Sequence, residues 1–289
     1  MPVLLATLAA VSFALGATLQ QRGTLETSAG EGDPRFLIQI LKRPAWLVGA
    51  GLQASGWLLQ AIALDRGSLI AVQSICALSL VFALPFGARL TAQRIDRRSV
   101  IGAVLTVFGI VTFLVTGSPD VGAAVPETTT LVAVTILGAV TMVGLAWLAG
   151  SRRGAFAAVL FAAGAGVAFG MQAAATKVFV ADLGGGLWSI LTLTSTYLLI
   201  GTALAGFALQ QSALKTGFLA PSLASSNAST LVTSVVLGVA VFGESIASPS
   251  GSSAIAVAAL ATAVVGVIIL ATPNTVSPRD QKPTDDSAA

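Results

Sequence analysis

Nine long apolar stretches follow one another along the chain, each parted from the next by a short polar interval: roughly 2–22, 45–64, 68–90, 99–117, 128–150, 155–182, 187–214, 217–242 and 252–273. About 20 apolar residues carry a helix across a bilayer, so each stretch predicts one membrane-spanning helix. The first lacks the basic start of a signal peptide, and its Val11-Ser-Phe-Ala matches Val167-Ala-Phe-Gly in the sixth. It reads as a span. The interval Gly30 to Pro34 is polar and turn-rich, and residues 35–43 after it read as an interfacial amphipathic segment or a re-entrant helix. Asn274 to Ala289 carries Pro278, Pro283, Asp285 and Asp286 and predicts a disordered tail.

The pattern also repeats. Residues 56–69 (GWLLQAIALDRGSL) and 206–219 (GFALQQSALKTGFL) lie 150 positions apart and are identical at seven of fourteen positions, among them Gly56/Gly206, Gln60/Gln210 and Gly67/Gly217. Gly109-Ile-Val in the fourth stretch finds a counterpart in Gly266-Val-Ile of the ninth. Two related halves inside a membrane chain are the mark of transporter architecture. The expected fold is therefore all-α and polytopic: one membrane transporter domain over 1–273, with repeat one in 1–117, a connector helix in 128–150 and repeat two in 155–273. Four spans plus one connector place equivalent helices in opposite directions, so the repeats are expected to be inverted.

Polar residues inside apolar spans mark either helix packing or a path. The eighth stretch is richest, with Ser222, Ser225, Ser226, Asn227, Ser229, Thr230, Thr233 and Ser234; Ser222, Ser225, Ser226, Ser229 and Thr233 recur at helical spacing. Its repeat partner holds Gln73, Ser74, Cys76 and Ser79. Gln53 and Gln60 share a face of the second stretch, and Gln210 and Gln211 answer them in the seventh. Spans two, three, seven and eight could thus surround a midplane site. Serines and threonines serve equally well as interhelical glue, whereas a glutamine needs more partners. Gly166-xxx-Gly170 and Gly51-xxx-Ser55 read as close helix contacts. Candidate substrate-binding residues are Gln53, Gln60, Gln73, Lys177, Tyr197, Gln210, Ser222, Ser226, Asn227 and Ser229. Lys177 either snorkels to the outer interface or anchors a carboxylate or phosphate. Tyr197, the sole tyrosine, falls mid-span. Trp57 sits deep enough to wall a cavity. Asp65, Asp182 and Glu244 fall at helix ends, away from the midplane.

Composition then narrows the chemistry. Only 9% of residues are charged, against roughly a quarter in soluble domains, and mean hydropathy is +0.90. The pI near 9.5 reflects loop lysines and arginines, so topology explains it better than nucleic-acid binding. With alternating loops, thirteen of the fifteen basic residues fall on one side and only Arg66 and Lys177 on the other. Cytoplasmic loops collect Lys and Arg, which predicts a multi-pass protein of the cytoplasmic (inner) membrane, N-terminus outside and C-terminus in the cytoplasm. The absence of histidine removes imidazole metal sites and His-based catalysis. One cysteine, Cys76, forms no intrachain disulfide and reads as packing. No activated nucleophile or deep carboxylate pair appears, so the chain reads as a non-enzyme with no cofactor and no metal site.

Leu59-Gln-x-x-Ala63-Leu-x-x-Gly67, the polar span after it, the Arg-rich turn Arg89 to Arg98, the second copy Leu209-Gln-x-x-Ala213-Leu-x-x-Gly217 and the closing Gly243-Glu244 together resemble the drug/metabolite transporter superfamily (EamA-like), over residues 1–273. A Gly-Glu at that position is common in the superfamily; here only the second repeat has it. Nine spans with an outside N-terminus look more like its NIPA-type branch, which implies magnesium. Mg²⁺ prefers carboxylate-rich octahedral shells, and the amides and hydroxyls here suit an organic solute better. The expected partners are a small metabolite, an amphiphile or a lipid-linked substrate, together with membrane lipid; a homodimer is compatible. The alternatives are a divalent-cation transporter or channel and a non-transporting structural membrane protein.

Overall fold

The structure is a computed structural model that describes residues 1–25, 42–90, 97–117, 119, 128–182, 194–214, 216, 219–246 and 253–270. Residues 35–41 of the amphipathic segment, Arg94, Lys215 and the 274–289 tail lie outside them. The described residues form helices and no strand: α1 (Pro2–Leu25), α2 (Pro44–Arg66), α3 (Leu69–Cys76), α4 (Ser79–Leu90), α5 (Arg97–Gly117), α6 (Thr128–Gly150), α7 (Gly154–Asp182), α8 (Thr194–Leu214), α9 (Leu219–Phe242) and α10 (Ser253–Leu270). Among the described residues seven segments are long and apolar enough to cross a membrane, and Ala254–Ile269 is a shorter apolar helix. These are the proportions of a helical membrane protein. Large apolar side chains cover its outside, as on Leu58, Phe108, Leu137 and Leu204, which suits hydrocarbon as solvent.

The stretch 68–90 is broken rather than continuous. Leu78 N–H bonds back three residues to the Ile75 carbonyl, tightening the turn that separates α3 from α4. Ser68 starts α3 as its N-cap, its hydroxyl accepting from Ala71 N–H at 3.0 Å.

Small residues set the packing. Gly16 of α1 and Gly49 of α2 face each other so closely that a Cβ on either would meet the other's carbonyl oxygen at 2.8 and 2.7 Å. A glycine under an aromatic ring recurs in both halves. A Cβ on Gly56 of α2 would come within 2.6 Å of the Phe13 ring of α1, and one on Gly206 of α8 within 2.7 Å of the Phe169 ring of α7. Helices α5 and α10 cross with a reciprocal contact. Gly109 abuts Ala259 and Ala263, while Gly266 abuts Gly102 and Thr106. Gly166 and Gly170 of α7 press against Ser229 and Thr233 of α9, as their spacing predicts. Gly51-xxx-Ser55 does not follow suit: nothing approaches Gly51, and Ser55 bonds its own helix through the Gly51 carbonyl.

Helix α7 is the hub. Rich in alanine and glycine, it buries half of its most apolar window and packs on α2, α6, α8 and α9. Helix α6 is peripheral, with none of its window buried; Gly138 gives it a close seat on the Met171 sulfur.

Candidate functional site

The α3–α9 seam, where the first half of the chain meets the second, holds the most unusual chemistry. Helix α9 ends at Gly243, whose φ of 59° suits a residue without Cβ. The turn it makes returns Glu244 to the helix, with Glu244 N–H bonding the Gly238 carbonyl at 2.9 Å. The carboxylate then reaches across to α3. Its Oε1 accepts from Leu69 N–H at 2.6 Å and its Oε2 from Ile70 N–H at 2.9 Å. These are two of the amides that a helix leaves unsatisfied at its start, and an anion there also meets the favourable end of the helix dipole. Lys177 of α7 donates to Oε1 and completes an ion pair. Its ammonium lies 4.6 Å from the centre of the Phe242 ring.

Glu244 is at a helix end as predicted, and the Gly243 turn folds it inward until it is 1% exposed. Lys177 does not snorkel: its side chain is 11% exposed and its charge is spent on Glu244. The sequence signals were Gly243-Glu244 after a long apolar span and a lone lysine deep in another; nothing in the sequence paired residues 67 positions apart.

The polar candidates divide among several seams. Gln73, 5% exposed, leaves its amide Nε2 without a partner, and Ser234, wholly buried, does the same with its hydroxyl. Gln53 packs on Gly16 in the α1–α2 seam and leaves Oε1 unpartnered. Gln210, half-buried on α8, has neither amide atom bonded. Gln60 is half-buried on α2. A buried polar group without a partner costs about 1–3 kcal/mol, a cost that the neighbouring helices leave standing at Gln53, Gln73, Gln210 and Ser234.

The serine-rich face of α9 is largely glue for α7. Ser225 donates to the Val159 carbonyl at 2.8 Å, and Ser229 sits against Gly166. Ser222 and Ser226 are buried. Asn227 donates to the Leu223 carbonyl of its own helix at 2.8 Å. Tyr197 is 64% exposed and Trp57 52% exposed, and both face outward. Neither walls a cavity, since each follows the outer face of its helix. A small cleft of about 50 Å³ opens instead between α6, α7, α8 and α9, lined by apolar residues such as Met171 and Val241 with Thr135, Thr194, Ser195 and Thr202. None of the candidate residues lines it. The candidates that carry unpartnered amides therefore lie in closed seams rather than around one open midplane chamber.

No protein-family model matches the chain, and no solved structure matches it. The chain is 31% identical over 227 residues to the "Uncharacterized protein Cgl0250/cg0304" of Corynebacterium glutamicum, a match that covers 76% of the chain and 77% of that relative.

Proposed function

Since the chain belongs to one family with the uncharacterized Corynebacterium glutamicum protein, whose name states no activity, we propose from its own architecture that it is a secondary transporter working by alternating access. In this reading nine spans form two inverted four-helix repeats around connector α6. The observation that carries it is the pair of matched contacts. Phe13 over Gly56 and Phe169 over Gly206 are the same helix pair built twice. The contacts of Gly109 with Ala259 and Ala263, and of Gly266 with Gly102 and Thr106, have the i-to-j, j-to-i form of a two-fold interface. Two inverted halves that can exchange conformations present one site to either side in turn. The resemblance to the drug/metabolite transporter superfamily supports the same reading.

The solute is a small metabolite, an amphiphile or a lipid-linked molecule, recognised by the unpartnered amides of Gln73 and Gln210 as the moving halves open the seams that bury them. A divalent cation is the weaker candidate. Among the described residues Glu244 is the one buried carboxylate, and Lys177 already neutralises it, whereas Mg²⁺ is usually held by one or more free carboxylates.

The test is solute uptake into proteoliposomes, with candidates first chosen by thermal shift from a panel of divalent cations, amino acids, lipophilic cations and lipid phosphates. A ligand at about 100 times its Kd stabilises the fold by roughly 2.7 kcal/mol, a readily measured shift. Gln60→Leu and Gln210→Leu are each expected to lower uptake while the protein stays folded. Full uptake by both variants would remove these two residues from the path. A response to Mg²⁺ alone would replace the organic-solute reading with the cation one.

A further inference from the structure

Among the described residues, each hydrogen-bond partner of the Glu244 carboxylate is a donor. Leu69 N–H and Ile70 N–H come from the start of α3, and the Lys177 ammonium from α7. The same seam continues with donors that have no acceptor. Gly238 of α9 lies against both Ile70 and Glu244 Oε2. Ser234 is one helical turn before Gly238 on that face of α9, and Gln73 is one turn after Ile70 on α3. The Ser234 hydroxyl and the Gln73 Nε2 are both buried and unpartnered. Two buried donors one helical turn along the seam from the ion pair thus find no acceptor among the helices. An oxygen-rich anion entering the seam from the Glu244 end would bring acceptors toward them.

We propose that this seam is the binding place for an anionic head group, a carboxylate or phosphate, of the transported solute, and that Glu244 is its built-in occupant, displaced on loading. The inference rests on the carrier reading above. Backbone amides at a helix start and a lysine are a standard anion cradle, here filled by the protein's own carboxylate. Glu244 sits just past the Gly243 turn, on the non-helical segment 243–246, so it can leave without unwinding α9. Its departure also breaks the bonds that tie the end of α9 to α3. An arriving anion thereby exchanges a link between the two halves for a contact with the cargo, and loading frees the halves to move.

The experiment uses the purified full-length protein in detergent and reads thermal shifts against inorganic phosphate, dioctanoyl phosphatidic acid and, as the uncharged control, dioctanoylglycerol. Glu244→Gln removes the competing charge, so it is expected to bind the anionic probe roughly tenfold or more tightly than wild type. Adding Lys177→Met to that variant is expected to abolish the gain. A response to phosphate identifies a soluble anion, and one confined to phosphatidic acid identifies a lipid phosphate. Equal affinities in wild type and Glu244→Gln, undiminished binding in the double variant, or an equal response to dioctanoylglycerol would overturn the proposal. Should Glu244→Gln fail to fold, wild type against Lys177→Met decides the matter. The wild-type protein must still respond at higher anion concentration and the lysine variant must not; equal responses overturn it. Uptake of an uncharged solute without anion binding would sink this inference and leave the carrier standing. Anion binding without uptake of any solute would do the reverse.

Discussion

Lys177 and Glu244 show how far single residues can be read. Lys177 is conspicuous in the sequence because a charge inside an apolar span is expensive, whereas Glu244 falls just past the end of one. What each does depends on the other, and on the amides at the start of α3. Removing one member of a buried ion pair strands its partner and costs about 3–5 kcal/mol. Lys177→Met is therefore expected to lower the melting temperature sharply, and Lys177→Met with Glu244→Gln to recover much of the loss. A thermal-unfolding double-mutant cycle checks this; additive losses would mean that the two side chains do not interact. Gly238→Ala makes a separate test. Its new Cβ would meet Ile70 and would lie 2.8 Å from Glu244 Oε2, an overpacking expected to cost about 1–3 kcal/mol. The glutamines were legible as unusual from type and depth alone. Tyr197 and Trp57 were not legible, because a one-residue difference in helical phase separates an inward ring from an outward one.

At the level of elements, the apolar pattern located the helices to within a few residues, since length and hydropathy are local quantities. The interruption at Ala77-Leu78 was not visible: no proline or glycine marks it, and Pro85 lies inside α4 instead. Small residues predicted close contacts, correctly for Gly166 and Gly170 and wrongly for Gly51. A glycine permits close approach but does not choose a neighbour. The α5–α10 crossing gives a sharp prediction. Gly109 and Gly266 make equivalent contacts, so Gly109→Val and Gly266→Val should each destabilise the protein by a similar amount, about 1–3 kcal/mol or more, in denaturant or thermal unfolding. A large loss for one and none for the other would argue against a symmetric crossing.

For the whole molecule the testable quantity is topology. The bias of basic residues predicts that Asp65 lies outside and Arg153 in the cytoplasm. The one native cysteine, Cys76, is buried, so single added cysteines can be labelled against a quiet background. Asp65→Cys should react with a membrane-impermeant maleimide in intact cells, and Arg153→Cys only after permeabilisation. The opposite pattern would invert the orientation; labelling of both from outside would break the odd-span arrangement on which inverted repeats depend.

The sequence by itself determined the solvent this protein belongs in, the approximate places of most of its helices and the existence of a duplicated segment. Those follow from hydropathy, length and identity along the chain, none of which needs distant contacts. Only the tertiary structure decided that Phe13 and Phe169 cap matched glycines, that the serines of α9 bind α7, and that Glu244 reaches the start of α3 beside Lys177. The physical reason is the near-uniform apolarity of the spans. With lipid as acceptable a neighbour as another helix, hydrophobicity cannot say which face turns inward, and the choice falls to small residues, orphaned amides and one buried charge pair that act only through contacts distant in the chain.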